Sequence, residues 1–287
     1  MDVEPLTGVI GARLTGVDLA KELRGPAIDD VVASLGAALD DHCVVVLPGQ
    51  DLAPDAQVEL SHHFGPPAET PFVGTMADQP EVIRVIKEAE EADAFNFGGA
   101  WHSDFSFLPS PPSYTLLHAI DVPTTGGDTV FTSMVAALEQ LPGDMRTAID
   151  KPGSRGVHTA RDAYSPKLQA LHDGLGSMDI RTDESANEAL EHPLLCTHPT
   201  SGRPVLFFNQ TYVRDLTGLD LDEHATALLR HRLHDHSTDH RFTVRHRWRN
   251  GDLVIWDNRA TQHLAVNDYG GQRRELHRTT VQGTVPA

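Results

Sequence analysis

The sequence is poor in cysteine, in basic residues and in long apolar runs. Its two cysteines, Cys43 and Cys196, are too few for a disulfide framework or a thiolate metal site, which favours a reducing cytoplasm. The 23 Lys and Arg stand against 41 Asp and Glu, and this formal net charge of −18 argues against a nucleic acid partner, because phosphate binding needs clustered bases. No stretch approaches the roughly 18 consecutive apolar residues of a membrane span. The composition therefore predicts a cytoplasmic protein that binds neither nucleic acid nor membrane.

The distribution of apolar residues predicts a mainly β protein with flanking helices (α+β). Short strand patterns recur along the whole chain, whereas helical patterns are confined to a few stretches. These helical stretches are residues 26–42, 54–63, 133–141, 143–149 and 222–234. Many short strands with few helices favour a jelly-roll barrel over a parallel sheet. A single domain can hold all 287 residues, and no internal repeat competes with this interpretation.

The stretch 242–256 predicts a β-hairpin. Residues 242–248 alternate between apolar and polar side chains, and Asn250 and Gly251 supply a turn. Residues 253–256 form a short apolar run, which we expect to pair back onto the first strand. This second strand then leads to His263.

The centre of the functional argument is Trp101-His102-Ser103-Asp104-Phe105. In an extended segment alternate side chains share a face, so His102 and Asp104 would present a nitrogen and a carboxylate oxygen to one point. His263, after its apolar strand, offers a third ligand. Two histidines and one carboxylate form the facial triad that suits non-haem Fe(II) oxygenases and leaves one face of the metal open.

Two arginines follow the third candidate ligand. Arg274 comes eleven residues after His263, and its guanidinium fork could bind the carboxylate of a co-substrate in a bidentate manner. Arg278 lies four residues further on, and this even spacing on a strand would place both guanidinium groups on one face.

A histidine-rich stretch competes for the role of metal centre. Its His-x-His pair lies at the end of a predicted helix, in a polar region without an adjoining buried strand. This setting indicates solvated surface histidines rather than ligands. The residues concerned are His231, His234, His236, His240 and His246.

The order of these residues resembles the taurine dioxygenase family of Fe(II)/2-oxoglutarate oxygenases, which includes phenoxypropionate and alkylsulfate dioxygenases. The similarity runs from about residue 3 to about residue 283. A lone His-x-Asp is a weak signal, whereas the ordered set is specific. The matching motifs are Trp101-His102-Ser103-Asp104, Gly126-Gly127-Asp128-Thr129, His192-Pro193 through Thr197-His198-Pro199, Trp256-Asp257-Asn258-Arg259 with Gln262-His263, and Arg274 with His277-Arg278.

The resemblance implies a double-stranded β-helix with Fe(II) bound by His102, Asp104 and His263. It also implies that Arg274 and Thr129 bind the distal carboxylate of 2-oxoglutarate, and that O2 takes an open position on the iron. Hydroxylation of a C–H bond, with release of succinate and CO2, is the expected reaction. Desaturation and ring formation stay open. The presence of Asp104 argues against the halogenating relatives, which lack the carboxylate ligand.

The primary substrate implied by the resemblance is a small organic anion, either a carboxylate, a sulfonate or a sulfate ester, bound by Arg278. The taurine enzyme has a histidine beside the anionic head, whereas counting on from Phe64-Gly65 places Thr70 at that point. Aromatic residues in neighbouring segments suggest an apolar pocket and a substrate other than taurine. These residues are Phe72, Phe95, Phe97 and Phe105.

We expect one oxygenase domain over residues 1–287, with lid segments near 87–100 and 159–191, where the sequence is acidic or rich in turns. A homo-oligomer, either a dimer or a tetramer, is also expected. Two other function classes remain open. One is a metal-dependent hydrolase with a zinc-bound water as nucleophile, which gives Arg274 and Thr129 no role. The other is a non-catalytic barrel that binds 2-oxoglutarate without consuming it.

Overall fold

Mainly antiparallel sheets with helices packed against them form the framework of the protein. The computed structural model describes residues 1–91, 96–174 and 176–287. In this part of the chain the strands are β1 (Asp2–Pro5), β2 (Ala12–Thr15), β3 (Val44–Leu47), β4 (Ile83–Lys87), β5 (Tyr114–Asp121), β6 (Thr129–Ser133), β7 (Arg155–Thr159), β8 (Ala189–Pro193), β9 (Leu195–Thr197), β10 (Pro204–Leu206), β11 (Val213–Thr217), β12 (Thr243–His246), β13 (Leu253–Asp257), β14 (Thr261–Ala265) and β15 (Arg274–Val281). The expected combination of strands and flanking helices is confirmed.

The helices lie between the strands and coincide with the stretches of helical pattern, apart from a few short additions. The α-helices are α1 (Leu19–Glu22), α2 (Ile28–His42), α3 (Pro54–Phe64), α4 (Met134–Glu139), α5 (Gly143–Ile149), α6 (Arg161–Tyr164), α7 (Gln169–Asp173) and α8 (Glu223–Ser237). Short 3-10 helices cover Pro166–Leu168, Glu184–Asn187 and His240–Phe242. Among the described residues, no helix combines the length and the apolar character needed to cross a bilayer.

The largest sheet has seven strands in the order β1-β2-β3-β13-β5-β15-β4. Strands β2 and β3 run parallel, and the other neighbours are antiparallel. The central strands β3 and β13 are buried at every position, as expected for strands covered on both faces. Helices α2 and α3 contribute to the core on one face, with Leu35 and Leu60 fully buried against Val45. On the other face Val44 belongs to a core that includes Phe131 of β6.

Three smaller sheets complete the framework and supply part of the candidate site. Strand β6 lies between β12 and β14, strand β7 lies between β11 and β8, and β9 forms a hairpin with β10. The sheet β12-β6-β14 carries Thr129 at the start of β6 and His263 in the middle of β14. The long β15 in the large sheet carries both Arg274 and Arg278.

The hairpin predicted for residues 242–256 is wrong. Strand β12 pairs with β6, and β13 pairs with β3 and β5 in a different sheet. Burial explains the difference: all five residues of β13 are buried, so this strand needs a partner on each side in the centre of a large sheet. Strand β12 is only partly buried and lies in the smaller sheet.

Candidate metal centre and co-substrate site

The three predicted metal ligands lie together in the interior. The ligand atoms of His102, Asp104 and His263 are all within 4.8 Å of one another, and all three residues are buried. His102 Nε2 lies 3.6 Å and His263 Nε2 lies 4.0 Å from Asp104 Oδ1. Backbone hydrogen bonds in both directions join His102 to His263, which fixes the loop before β5 against β14. Two imidazoles and one carboxylate at this spacing fit a divalent metal with open positions.

Neighbouring groups orient two of these side chains. His102 Nδ1 lies 2.7 Å from the carbonyl oxygen of Ala100, which leaves Nε2 directed at the centre. Thr115 Oγ1 donates to Asp104 Oδ2 at 2.7 Å, so Oδ1 is the oxygen that faces the histidines. Asn258 holds this arrangement, because its Nδ2 donates to Thr115 Oγ1 at 2.8 Å and its Oδ1 accepts from the Asp104 backbone N–H at 3.3 Å.

Replacing Thr115 with valine is expected to raise the dissociation constant for Fe(II) by about 10- to 100-fold, the usual effect of losing a hydrogen-bond partner of a metal ligand. Valine keeps the shape of threonine but cannot hold the Asp104 carboxylate in place. Anaerobic titration with Fe(II) measures the effect. Thr279→Val is the matched control, since Thr279 is a buried strand residue whose hydroxyl contacts Ser61 instead. Equal Fe(II) affinities in the two variants would contradict this role of Thr115.

The charge distribution suits metal binding. Burial acts to raise the pKa of Asp104, but the Arg278 guanidinium and the two imidazoles lower it by more, so the carboxylate is ionised. Burial, followed by repulsion from His102, lowers the pKa of His263 to about 3, so this imidazole is neutral. An ionised carboxylate and a neutral imidazole are the forms that coordinate a metal.

The turn between β13 and β14, which places His263, is fixed by a buried ionic cluster. Asp257 is fully buried and accepts from His198 Nε2 at 2.9 Å and from Arg259 Nε at 2.8 Å. Buried charges persist when they are paired and hydrogen-bonded in this way. The sequence motifs that contain His198 and Arg259 therefore supply the partners of Asp257 and hold the turn that places His263.

Arg274 lies in a buried pocket next to the Gly127 turn. Its Nε donates to the carbonyl oxygen of Gly127 at 3.0 Å, and its Nη2 has no hydrogen-bond partner among the described residues. A Cβ at position 127 would lie 3.2 Å from Arg274 Cδ, and the φ of 69° also favours glycine there. Burial lowers the pKa of Arg274 to about 10, so the side chain remains a cation at neutral pH. An unpaired buried cation of this kind fits an anionic ligand.

Thr129 is joined to the same pocket through Trp248. The indole Nε1 of Trp248 donates to Thr129 Oγ1 at 2.9 Å, and the Arg274 guanidinium carbon lies 5.9 Å from the Trp248 ring centre. Because the hydroxyl oxygen accepts this bond, its own proton is available for a further acceptor. The structure thus brings Thr129 near Arg274, as the proposed co-substrate role requires.

Arg278 lies on the metal side of β15. Its Nη1 is 3.4 Å from Asp104 Oδ1, while its Nε and Nη2 have no hydrogen-bond partner within the described part of the chain. The guanidinium carbon lies 5.3 Å from the ring centre of Phe105 and 5.5 Å from that of Phe97. Phe105 follows Asp104 with a φ of 46°, an unusual conformation for a non-glycine residue that turns the chain directly after the ligand.

Thr70 is not brought into the centre by any hydrogen bond or ion pair of the described residues, and its side chain is only partly buried. Phe72 packs instead on Tyr164, with 5.0 Å between ring centres. Phe95 lies outside the described residues.

The histidine-rich stretch contributes no metal site among the described residues, where the cluster of His102, Asp104 and His263 is the one found. However, the prediction that the whole stretch is solvated is wrong for two members. His236 is buried, with Nε2 2.8 Å from the carbonyl oxygen of Ala137, and His246 is partly buried and packs edge-on against Trp248. Their neighbours in the sequence are mostly polar, so the sequence did not indicate that these two side chains are covered.

A cavity of about 350 Å³ opens beside His102. Two of its lining residues, Tyr164 and Tyr212, were missed by sequence reasoning because they lie in turn-rich segments without periodic patterning. Thr115 was also missed, although a polar residue directly before the apolar pair Leu116-Leu117 of strand β5 is a signal that could have identified it.

A buried set of two histidines and one carboxylate, next to two arginines with unpaired N–H groups, defines a candidate non-haem metal oxygenase centre. A family model described as "Taurine catabolism dioxygenase TauD, TfdA family" matches residues 2–280. The chain belongs to this family, and the protein is accordingly a dioxygenase, an oxidoreductase.

Curated relatives and solved structures agree with this assignment. The chain is 32% identical over 289 residues to the alpha-ketoglutarate-dependent sulfate ester dioxygenase of Pseudomonas putida, covering 100% of this chain and 91% of the relative. It is 31% identical to the alpha-ketoglutarate-dependent 2,4-dichlorophenoxyacetate dioxygenase of Cupriavidus pinatubonensis, with 96% of each chain covered. The crystal structure of a taurine dioxygenase from Burkholderia xenovorans aligns with a TM-score of 0.79 and 33% identity, covering 100% of this chain and 92% of the other. The crystal structure of AAD-2 in complex with Mn(II) and N-oxalylglycine aligns with a TM-score of 0.76 and 26% identity, with coverage of 99% and 98%.

Proposed function

We propose that the protein is an Fe(II)- and 2-oxoglutarate-dependent dioxygenase that hydroxylates a C–H bond of a small organic anion and releases succinate and CO2. The observation that carries this proposal is the placement of unpaired arginine N–H groups around a buried set of metal ligands. Arg278 lies beside Asp104, and Arg274 lies on the same strand, at its first position. Arg274 would pair with 2-oxoglutarate, and Arg278 would pair with the anionic head of the substrate.

His102, Asp104 and His263 would hold the iron. When bound, Fe(II) supplies the oxidative chemistry with O2 and the keto acid, and the residues of the chain bind and orient the reactants. Arg274 and Thr129 would bind the distal carboxylate of 2-oxoglutarate, the arginine through its fork and the threonine through its free hydroxyl proton. The names of the relatives, which cover alpha-ketoglutarate-dependent enzymes, support this assignment.

Arg278 would anchor the anionic head of the primary substrate. Its Nε and Nη2 are buried donors that lack partners among the described residues, and such groups are costly unless a ligand satisfies them. Phe97 and Phe105 against the guanidinium provide an apolar surface next to the head. Relatives named for sulfate esters and for 2,4-dichlorophenoxyacetate fit a substrate of this class. The neutral Thr70 would line the substrate pocket, and a substrate other than taurine is expected.

The proposed architecture is a double-stranded β-helix formed by the large sheet and the sheet β12-β6-β14, within one domain over residues 1–287. Segments 87–100 and 159–191 are proposed lids, although residues 92–95 and 175 lie outside the described part of the chain. Residues after this gap support the first lid. Ala265 N–H donates to the Gly98 carbonyl oxygen at 2.9 Å, and Asn96 Nδ2 donates to the Ala265 carbonyl oxygen at 3.2 Å, close to His263.

The proposed function is tested by measuring succinate with and without Fe(II), O2 and each member of a panel of carboxylates, sulfonates and sulfate esters. Succinate formation that needs all three components supports the dioxygenase. Conversion of an organic anion without O2 would instead identify a metal-dependent hydrolase. Binding of 2-oxoglutarate without any succinate across the panel would identify the non-catalytic alternative.

Arg278→Gln is expected to raise KM for the organic anion by about 10- to 100-fold, because hydrogen bonds to a charged group contribute roughly 1.5–3 kcal/mol. Glutamine keeps a polar side chain but loses the charge and the fork. The requirement for 2-oxoglutarate should change much less. Fe(II) affinity is measured in parallel, since Arg278 also contacts Asp104. A KM for the anion equal to that of the wild type would refute the anchoring role.

A further inference from the structure

The cavity beside His102 is lined by polar as well as apolar side chains. With a volume of about 350 Å³, it is large enough for a small organic molecule. Its wall includes His102, Phe97, Tyr164 and Tyr212. The ring of Tyr212 meets that of His102 edge-on at 6.2 Å between centres, so the tyrosine lies directly beside a proposed metal ligand.

The two tyrosines form a buried polar pair. Each is 5% exposed, and their hydroxyl groups lie close enough together to affect each other's pKa. Burial is the main cause that raises the pKa of both groups, so both are neutral hydroxyls near pH 7. Two hydroxyls have two protons, and a bond between the two groups would use only one of them. Within residues 1–91, 96–174 and 176–287, neither hydroxyl donates to a third group, so at least one proton of the pair is left for a ligand.

Aromatic rings connect this pair to the arginine side of the centre. Phe105, which faces Arg278, meets Phe107 with 5.8 Å between ring centres. Phe107 in turn lies 4.9 Å from the Tyr212 ring and 6.2 Å from the Tyr164 ring. Phe97 lines the cavity itself, and its ring centre lies 5.5 Å from the Arg278 guanidinium carbon. A ligand in the cavity that passes Phe97 would therefore have a cation near one end and the two tyrosines near the other.

We propose that the Tyr164–Tyr212 hydroxyl pair determines substrate specificity by selecting organic anions whose apolar body carries a neutral oxygen acceptor, such as an ether oxygen, away from the charged head. This inference rests on the proposed function, because it places the anionic head at Arg278. A purely hydrocarbon body would cover the second proton without accepting it, and a site built around a hydrogen bond discriminates against ligands that lack the partner. An oxygen acceptor on the ligand would take the tyrosine hydroxyl proton that has no acceptor among the described residues of the protein.

The test uses matched anions in which one ether oxygen is replaced by a methylene group. (4-Methoxyphenyl)acetate and (4-ethylphenyl)acetate form one pair, and the corresponding arylmethanesulfonates form another. Dissociation constants are measured by calorimetry on the Fe(II)- and 2-oxoglutarate-loaded protein without O2, so binding is separated from turnover. The variants are Tyr164→Phe and Tyr212→Phe. Tyr114→Phe is the matched control, since Tyr114 is equally a buried tyrosine but packs against Arg259 instead.

The wild type is expected to bind the ether member of at least one pair about 10-fold more tightly than its methylene analogue, a ratio within reach of one hydrogen-bonded group. Tyr164→Phe and Tyr212→Phe should bring this ratio close to one, and Tyr114→Phe should retain it. A general loss of packing would weaken both members alike and leave the ratio unchanged.

An equal affinity for both members of each pair in the wild type, or an unchanged ratio in both Tyr164→Phe and Tyr212→Phe, would overturn the inference. If the ethyl compounds nevertheless stimulate succinate formation, the proposed function stands and only the role of the tyrosine pair is lost. If no anion of the panel binds or stimulates succinate formation, the proposed function fails, and the inference that rests on it fails too.

Discussion

His263→Ala is expected to raise the dissociation constant for Fe(II) by at least about 100-fold, since loss of even an outer partner of a ligand costs about 10- to 100-fold in affinity. The variant leaves one imidazole and one carboxylate, and neither has a neighbouring donor set to replace the third ligand among the described residues. Succinate formation in the presence of substrate should be lost as well. Anaerobic Fe(II) titration and succinate release measure the two effects separately.

Two further variants test whether lost packing explains the effect and whether the metal lies in the histidine-rich stretch instead. His263 packs against Trp256 with 4.7 Å between ring centres, so His263→Gln provides a second variant that fills more of the space without an imidazole. His240→Ala removes a histidine of the competing stretch whose side chain is 92% exposed. Retention of iron and turnover in both His263 variants, or their loss in His240→Ala, would show that the metal lies elsewhere.

Local spacing predicted that the His102 and Asp104 side chains lie together, although a lone His-x-Asp is a weak signal and the resemblance supplied the specificity. His102 and Asp104 are two residues apart, and their side chains meet at 3.6 Å, as the alternation of side chains predicts. The same rule places Arg274 and Arg278 along one strand. The partner histidine was identified from a buried strand and a resemblance, whereas the reciprocal backbone hydrogen bonds between His102 and His263 are a tertiary feature that no local pattern encodes.

Strand pairing was the part of the fold that local pattern misjudged. The Asn250-Gly251 turn favoured pairing between residues 242–248 and 253–256, but β13 is buried throughout and is more stable between β3 and β5. Burial on both faces depends on strands more than 100 residues away in sequence. A turn signal cannot report such distant partners.

The substrate side of the site was the least accessible to sequence reasoning. Tyr164 and Tyr212 lie in segments that show neither helical nor strand periodicity, and only the folded chain brings their hydroxyl groups together. Positions of this kind are where local rules carry least information, because loops positioned by a scaffold carry specificity.

Arg274→Ala is expected to raise KM for 2-oxoglutarate by about 30- to several thousand-fold, because truncating one partner of a buried charge pair costs roughly 2–5 kcal/mol. Arg274 is 5% exposed, so a carboxylate bound there has no solvent to replace the lost cation. Thr129 would remain as a single neutral donor. Fe(II) affinity should change little, since Arg274 has no described contact with the three metal ligands. Succinate formation at varied 2-oxoglutarate concentration, with Fe(II) saturating, measures the effect.

Arg274→Lys separates charge from geometry. Lysine keeps the cation but cannot donate from a planar fork to the Gly127 carbonyl oxygen and to a carboxylate at once, so its KM for 2-oxoglutarate should lie between those of wild type and Arg274→Ala. The matched control is Arg273→Lys. Arg273 is the adjacent arginine, but it points to the other face of β15 and pairs with Glu88, Asp121 and Glu275. A KM that rises in Arg273→Lys but not in the Arg274 variants would place the co-substrate on the opposite face of the strand and refute the proposed site.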